Sequence, residues 1–338
     1  MIYPRSTFII REAPDPTPKC NSLYVPTVKH LTVPWDAGNM VARPSQIPLT
    51  FNRMLIVDHW PIGVFTSIDA GFGVRLEVAD ELNVPTIQVH APHQETRSPE
   101  TAQRFLERLK DLGIQLTAVF GGFDGESYAD IPTVEKTVGL VPIATRDARL
   151  QEMREISDFA THLQCNVVAL HLGFVPHDTS SEDYQDIVRC TRELCLHCKN
   201  NGQNLHLETG QETADALIQF MDDVACDNLF VNFDPANMIL YGTGEPIEAL
   251  KKLGNRVRSV HCKDATWAEQ PGENWGQEVP LGQGDVGIQT YLETLKAIGY
   301  DGPLTIEREI PQDPERQKSE IGGAIETLNQ TKQALAVE

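Results

Sequence analysis

The chain has 338 residues, 41% hydrophobic and 22% charged, a globular composition long enough for one embellished β/α barrel or two ordinary domains. Acidic residues outnumber basic ones by 48 to 28, a formal charge of −20, and such a field repels nucleic acid and anionic membrane surfaces. No apolar run approaches the roughly 20 residues that span a bilayer.

Residues 1–60 are rich in proline and lack sustained periodicity. We read them as an irregular arm that wraps the barrel or a partner subunit, with Phe8-Ile9-Ile10 and Met54-Leu55-Ile56-Val57 as its packing groups. Met1 to Glu12 shows no signal-like apolar core, so a cytoplasmic protein is expected. From Pro61 onward, short β-rich runs alternate with longer amphipathic stretches, and residues 61–338 are assigned to one (β/α)8 TIM barrel. Strands are expected near Ile62–Ile68, Thr86–His90, Gln115–Phe120, Val167–Leu172, Asn204–Glu208, Phe230–Asp234, Arg258–His261 and Leu304–Glu307. Between them, apolar residues recur at three- and four-residue intervals in Pro99–Leu112, Ala148–Leu163, Ser181–Lys199, Glu212–Asp222, Pro246–Lys252 and Ile288–Ile298, the mark of helices packed outside a barrel. Asn200-Asn201-Gly202 and Ile298-Gly299 punctuate helix ends. The long stretch Ala265 to Gly287, rich in Gly, Trp and charge, is expected to cover an active site. Seven cysteines, an odd number, favour free thiols over a disulfide framework. Cys195 and Cys198 form a lone CxxC near Cys190 on an expected helix, a structural arrangement rather than a zinc or redox site.

In a β/α barrel the chemistry lies where strands end. Strand five finishes in Glu208, strand six in Asp234, strand seven in His261 and strand eight in Glu307. Any one of them alone reads equally well as a helix cap or a solvated group. Together they offer three carboxylates and one imidazole, which suits one divalent metal ion; Mn²⁺ is favoured, with Mg²⁺, Co²⁺ and Zn²⁺ as further candidates. Strand alternation then puts His206, Asn232, Ser259 and Thr305 inward one layer below. All four are polar where barrel interiors usually carry Val, Ile and Leu, so they are expected to orient the ligands by direct contact.

With these residues in view, the chain resembles the xylose isomerase-like TIM barrel superfamily, in its sugar phosphate isomerase/epimerase branch, over about residues 61–312. The resemblance is carried by Leu207-Glu208-Thr209-Gly210-Gln211-Glu212, Asn232-Phe233-Asp234-Pro235-Ala236-Asn237, Val260-His261-Cys262-Lys263-Asp264-Ala265, Pro280-Leu281-Gly282-Gln283-Gly284-Asp285-Val286 and Ile306-Glu307. It implies a metal held by Glu208, Asp234, His261 and Glu307, with Glu208 and Glu307 also serving as catalytic acid and base. Many relatives carry histidine three residues after the metal aspartate, where this chain has Asn237.

The expected chemistry is proton transfer next to a carbonyl on a small sugar or polyol, one glutamate removing a proton and the other returning one. His171, Asn237, Lys263 and, more weakly, His90 are the substrate-binding candidates. Against these stand a core histidine at 171, a Lys263–Asp264 salt bridge and a loop position for His90. An inosose-type dehydratase would use the same metal and carboxylates. Two readings of other classes are an apurinic-site endonuclease, disfavoured by the net charge, and a non-catalytic barrel. A homo-oligomer fits the arm, and a non-phosphorylated substrate fits the lack of a basic cluster.

Overall fold

A computed structural model describes residues 60–69 and 71–336. The arm expected over residues 1–60, with both of its apolar groups, lies outside the described residues apart from Trp60.

Eight parallel strands close into a barrel: β1 (Ile62–Ser67), β2 (Thr86–His90), β3 (Gln115–Gly121), β4 (Val167–Leu170), β5 (Asn204–Glu208), β6 (Leu229–Phe233), β7 (Val257–Cys262) and β10 (Leu304–Ile306). They are hydrogen-bonded in the order β1-β10-β7-β6-β5-β4-β3-β2. Two further short strands, β8 (Asp264–Thr266) and β9 (Gln277–Val279), form an antiparallel hairpin within the long segment after β7. All eight expected barrel strands are present. Four end earlier than the apolar pattern implied: β1 stops at Ser67, β4 at Leu170, β6 at Phe233 and β10 at Ile306. The polar residues His171, Asp234 and Glu307 thus follow directly after β4, β6 and β10 at the carboxyl rim, Glu307 still donating its N–H to the Cys262 carbonyl of β7 at 3.3 Å.

The expected helices form within a few residues of their assigned bounds, because local chemistry sets the ends. In α2 (Pro99–Leu112) the Ser98 side chain caps the first turn, Pro99 starts the helix and Gly113 ends it at φ +69°. In α5 (Glu182–Asn200) and α6 (Ala214–Val224), Ser181 and Thr213 are the capping residues, so each helix begins just after its hydroxyl. Four helices escaped the periodicity: α1 (Leu76–Glu81), α3 (Ile131–Thr137), α7 (Pro235–Tyr241) and α10 (Pro314–Ala336). The first three are too short to display a stripe. Cys190, Cys195 and Cys198 are buried free thiols on α5.

The main core fills the shell between sheet and helices. The barrel interior is different. Phe65, Ala118, Phe120 and Ala169, from β1, β3 and β4, make a small apolar cluster of their own, whereas β5, β6, β7 and β10 contribute the buried polar residues His206, Asn232, Ser259 and Thr305.

Candidate metal centre

Glu208, Asp234, His261 and Glu307 converge at the carboxyl end of the barrel, each offering a donor atom within 4.8 Å of the others. Local folding explains how each arrives. Glu208 is the last residue of β5, and His261 is the penultimate residue of β7. Asp234 leads into α7, and its two oxygens divide the labour: Oδ1 accepts from Asn237 N at 2.9 Å as the helix cap, while Oδ2 turns into the cluster. Capping the helix with one oxygen thus leaves the other available to the cluster. Thr209 fixes Asp234 further, accepting from its N–H at 2.8 Å and donating to its carbonyl at 2.9 Å.

His261 Nδ1 lies 2.8 Å from Glu208 Oε1, 3.1 Å from Glu307 Oε2 and 3.4 Å from Asp234 Oδ2. One imidazole nitrogen carries at most one hydrogen, so three acceptors cannot all be served. Asp234 Oδ2 is fully buried and left without a hydrogen bond. The donor set thus fits a divalent cation, which would satisfy all three carboxylates at once. The electrostatics agree. Burial opposes charge on His261, yet the Glu307 and Glu208 carboxylates hold it protonated well above its ordinary range. Burial pushes Asp234 up to about 6 against the pull of Lys263. Glu307 resists its own burial, because Lys263 and then His261 keep it ionised.

The substrate-binding candidates separate. His171, in the segment just after β4, places Nε2 at 3.1 Å from Glu208 Oε2. Lys263 is buried and charged, with Nζ at 3.2 Å from Glu307, 3.5 Å from Glu309 and 3.4 Å from Asn237 Oδ1. It does not pair with Asp264. That carboxylate instead accepts from the N–H groups of Ala265 and Val286 with one oxygen and of Gly282 and Gly284 with the other. Asp264 so draws residues 282–286 back to the end of β7, and at Gly284 a Cβ would collide with its Oδ1. Asn237 bridges the halves of the site, donating to Glu208 Oε1 at 3.3 Å and accepting from Lys263. His90 stays apart: its Nδ1 meets the Ala91 carbonyl at 2.7 Å, its ring sits edge-on to Phe72, and burial lowers it to about 4.

The layer beneath the ligands is buried and polar as expected, but its contacts are not the expected ones. His206 Nδ1 bonds Ser259 Oγ at 2.8 Å, Asn232 accepts from Gln88 at 3.4 Å, and Thr305 Oγ1 has no partner. None bonds a ligand directly, because side chains two positions apart on one strand lie about a full residue pair apart along the barrel axis. The bond to a ligand comes instead from Gln88, whose Oε1 lies 2.7 Å from His261 Nε2. Sequence reasoning missed Gln88. Extending the alternation test to strand two, where Gln88 precedes His90 by two residues, would have found it.

Fold and site together define a β/α-barrel protein with a four-residue cluster at its carboxyl rim that could hold a metal ion. The xylose isomerase-like TIM barrel family model matches residues 76–330, and the chain belongs to that family. Among solved structures, a xylose isomerase domain protein from Planctomyces limnophilus is 60% identical, with a TM-score of 0.81 over 83% of this chain and 100% of that one. An inosose dehydratase from Clostridium tetani is 25% identical over 152 residues, 40% of this chain and 50% of that protein. An L-ribulose 3-epimerase from Methylomonas sp. is 27% identical over 150 residues, 42% of this chain and 48% of that protein. The match spans about half the length of these last two relatives. Among the described residues no helix is long and apolar enough to cross a membrane.

Proposed function

We propose that this chain is a divalent-metal-dependent enzyme that moves protons on a keto-sugar or related polyol, as an isomerase or epimerase. The carrying observation is that two glutamates, the buried Glu208 and the partly buried Glu307, meet the same histidine nitrogen yet keep different company: His171 and Asn237 beside Glu208, Lys263 beside Glu307. Two carboxylates in unlike surroundings can hold unlike protonation states, which acid–base catalysis on a carbon acid needs.

A cation held by Glu208, Asp234, His261 and Glu307 would polarise a substrate carbonyl and favour loss of the neighbouring proton. The residues do the rest. One glutamate removes the proton and the other returns one, to the opposite face in an epimerase or to the adjacent carbon in an isomerase. Lys263 and His171, facing the two glutamates, hold substrate oxygens. Asn237, where many relatives carry histidine, ties Glu208 to Lys263 without adding a titratable group.

The test follows C–H exchange by proton NMR for keto-sugars and inososes in D₂O with Mn²⁺. Glu208→Gln and Glu307→Gln are each expected to slow exchange by about 10²–10⁴-fold; exchange surviving both changes refutes their roles. An inosose-type dehydratase is the second reading, favoured by the buried Lys263 ammonium, which can bond a departing hydroxyl, and by the likeness to inosose dehydratases. Loss of water from substrate, read by mass spectrometry in the same reaction, would select it.

A further inference from the structure

We propose that Gln88 is a positioning residue that fixes the tautomer of His261, keeping the proton on Nε2 so that Nδ1 presents its lone pair to the cation. The inference rests on the metal site proposed above. His261 is fully buried, and its two ring nitrogens face different worlds: Nδ1 the three carboxylates, Nε2 the single Gln88 Oε1 at 2.7 Å. A neutral imidazole carries one proton, and whichever nitrogen keeps it cannot bind a metal. An amide oxygen opposite Nε2 only accepts, so it holds the proton there and frees Nδ1.

The amide is itself oriented. Gln88 Nε2 donates to Asn232 Oδ1 at 3.4 Å, so its oxygen points at the histidine. Turning both amides over would give the idle Asn232 Nδ2 a partner, but would also drive the histidine proton onto Nδ1, where the cation must sit. The ring plane is held by two phenylalanines: Phe120 stacks at a centroid distance of 5.4 Å and Phe65 stands edge-on at 5.6 Å. Phe65, Gln88 and Phe120 come from β1, β2 and β3, neighbouring strands that contribute no ligand to the cluster. Across the barrel from His261, they form a clamp for one side chain of β7.

Calorimetric titration of Mn²⁺ into the metal-free full chain tests this with Gln88→Glu and Gln88→Leu. Gln88→Leu is expected to bind about 10- to 100-fold more weakly, as loss of a partner behind a ligating histidine does. Gln88→Glu, still an acceptor, should bind within a few-fold of the parent or more tightly. Leucine binding as tightly as glutamine, or glutamate as weakly as leucine, overturns the role of Gln88. A parent that takes up no metal overturns the underlying site instead, so the two failures are distinguishable. A readout needing no variant is the ¹⁵N spectrum of histidine-labelled, Zn²⁺-loaded protein. A slowly exchanging proton on His261 Nε2 with a metal-shifted Nδ1 is expected; a proton on Nδ1 refutes the proposal.

Discussion

The two sides of the barrel interior are built from opposite materials. From β1 to β4 the inward residues Phe65, Ala118, Phe120 and Ala169 make an apolar cluster, interrupted on β2 by the buried polar Thr86 and Gln88. From β5 through β7 and β10 they are His206, Asn232, Ser259 and Thr305, topped by the four candidate ligands. Barrels ordinarily fill their interior with branched aliphatic layers all round. Here one side supplies donor atoms and the other a rigid wall that aims them. Charge crowding needs rigidity, because three carboxylates left to themselves would rotate apart.

The division predicts that the two sides fail differently when altered. Phe120→Ala removes a buried ring from the wall and should destabilise the metal-free protein by about 3–5 kcal/mol, measured by denaturant unfolding with chelator present. Asp234→Asn should do the reverse. Asparagine keeps the cap on α7 and relieves carboxylate repulsion, so metal-free stability should hold or rise while metal binding collapses. If Phe120→Ala left stability unchanged, or Asp234→Asn destabilised the metal-free protein, the assignment of roles would be reversed.

The same division decided what could be read from sequence. The donor side was legible, since Glu208, Asp234, His261 and Glu307 each end an apolar run, and the structure gathers all four. The wall was not. Phe65 and Phe120 look like any strand residue, and Gln88, between Ile87 and Val89, is marked only by its two-residue spacing from His90. That spacing turns Gln88 inward, but what each of the three touches lies across the barrel and is not written in the local sequence. Asp264 occupied an intermediate position: its motif was visible, but its service to four backbone N–H groups depends on how a segment of some twenty residues folds back.

The seam between the sides yields a pH-dependent effect. Glu212, after β5, accepts from Val175 N, after β4, at 2.6 Å, and its other oxygen is buried without a partner. Burial raises its carboxyl from 4.5 to about 8. Between those values the folded state binds more protons than the unfolded state, so this group's contribution to stability declines as pH rises, by at most about 1.4 kcal/mol per pH unit. Below the window the group costs nothing, and above it the penalty is constant. Glu212→Gln keeps an acceptor for Val175 and cannot ionise. In metal-free protein its advantage over the parent should therefore be absent at pH 4 and grow toward pH 8; a gap that does not change with pH would contradict this.

The smallest effect concerns whether polarity is used throughout the donor side. Thr305 is fully buried, yet its hydroxyl lacks the partner that His206 and Ser259 give each other. An unpaired buried hydroxyl carries its desolvation cost with no return, and replacing it by a methyl of the same shape is near neutral or stabilising. Thr305→Val should thus raise unfolding stability by up to about 1 kcal/mol and leave Mn²⁺ affinity as it was. Ser259→Ala, which strands His206 Nδ1, should instead cost about 1 kcal/mol. Equal losses in the two variants would mean that Thr305 is also hydrogen-bonded in solution, through an ordered water. The donor side would then be a continuous polar network rather than four ligands resting on an incompletely paired layer.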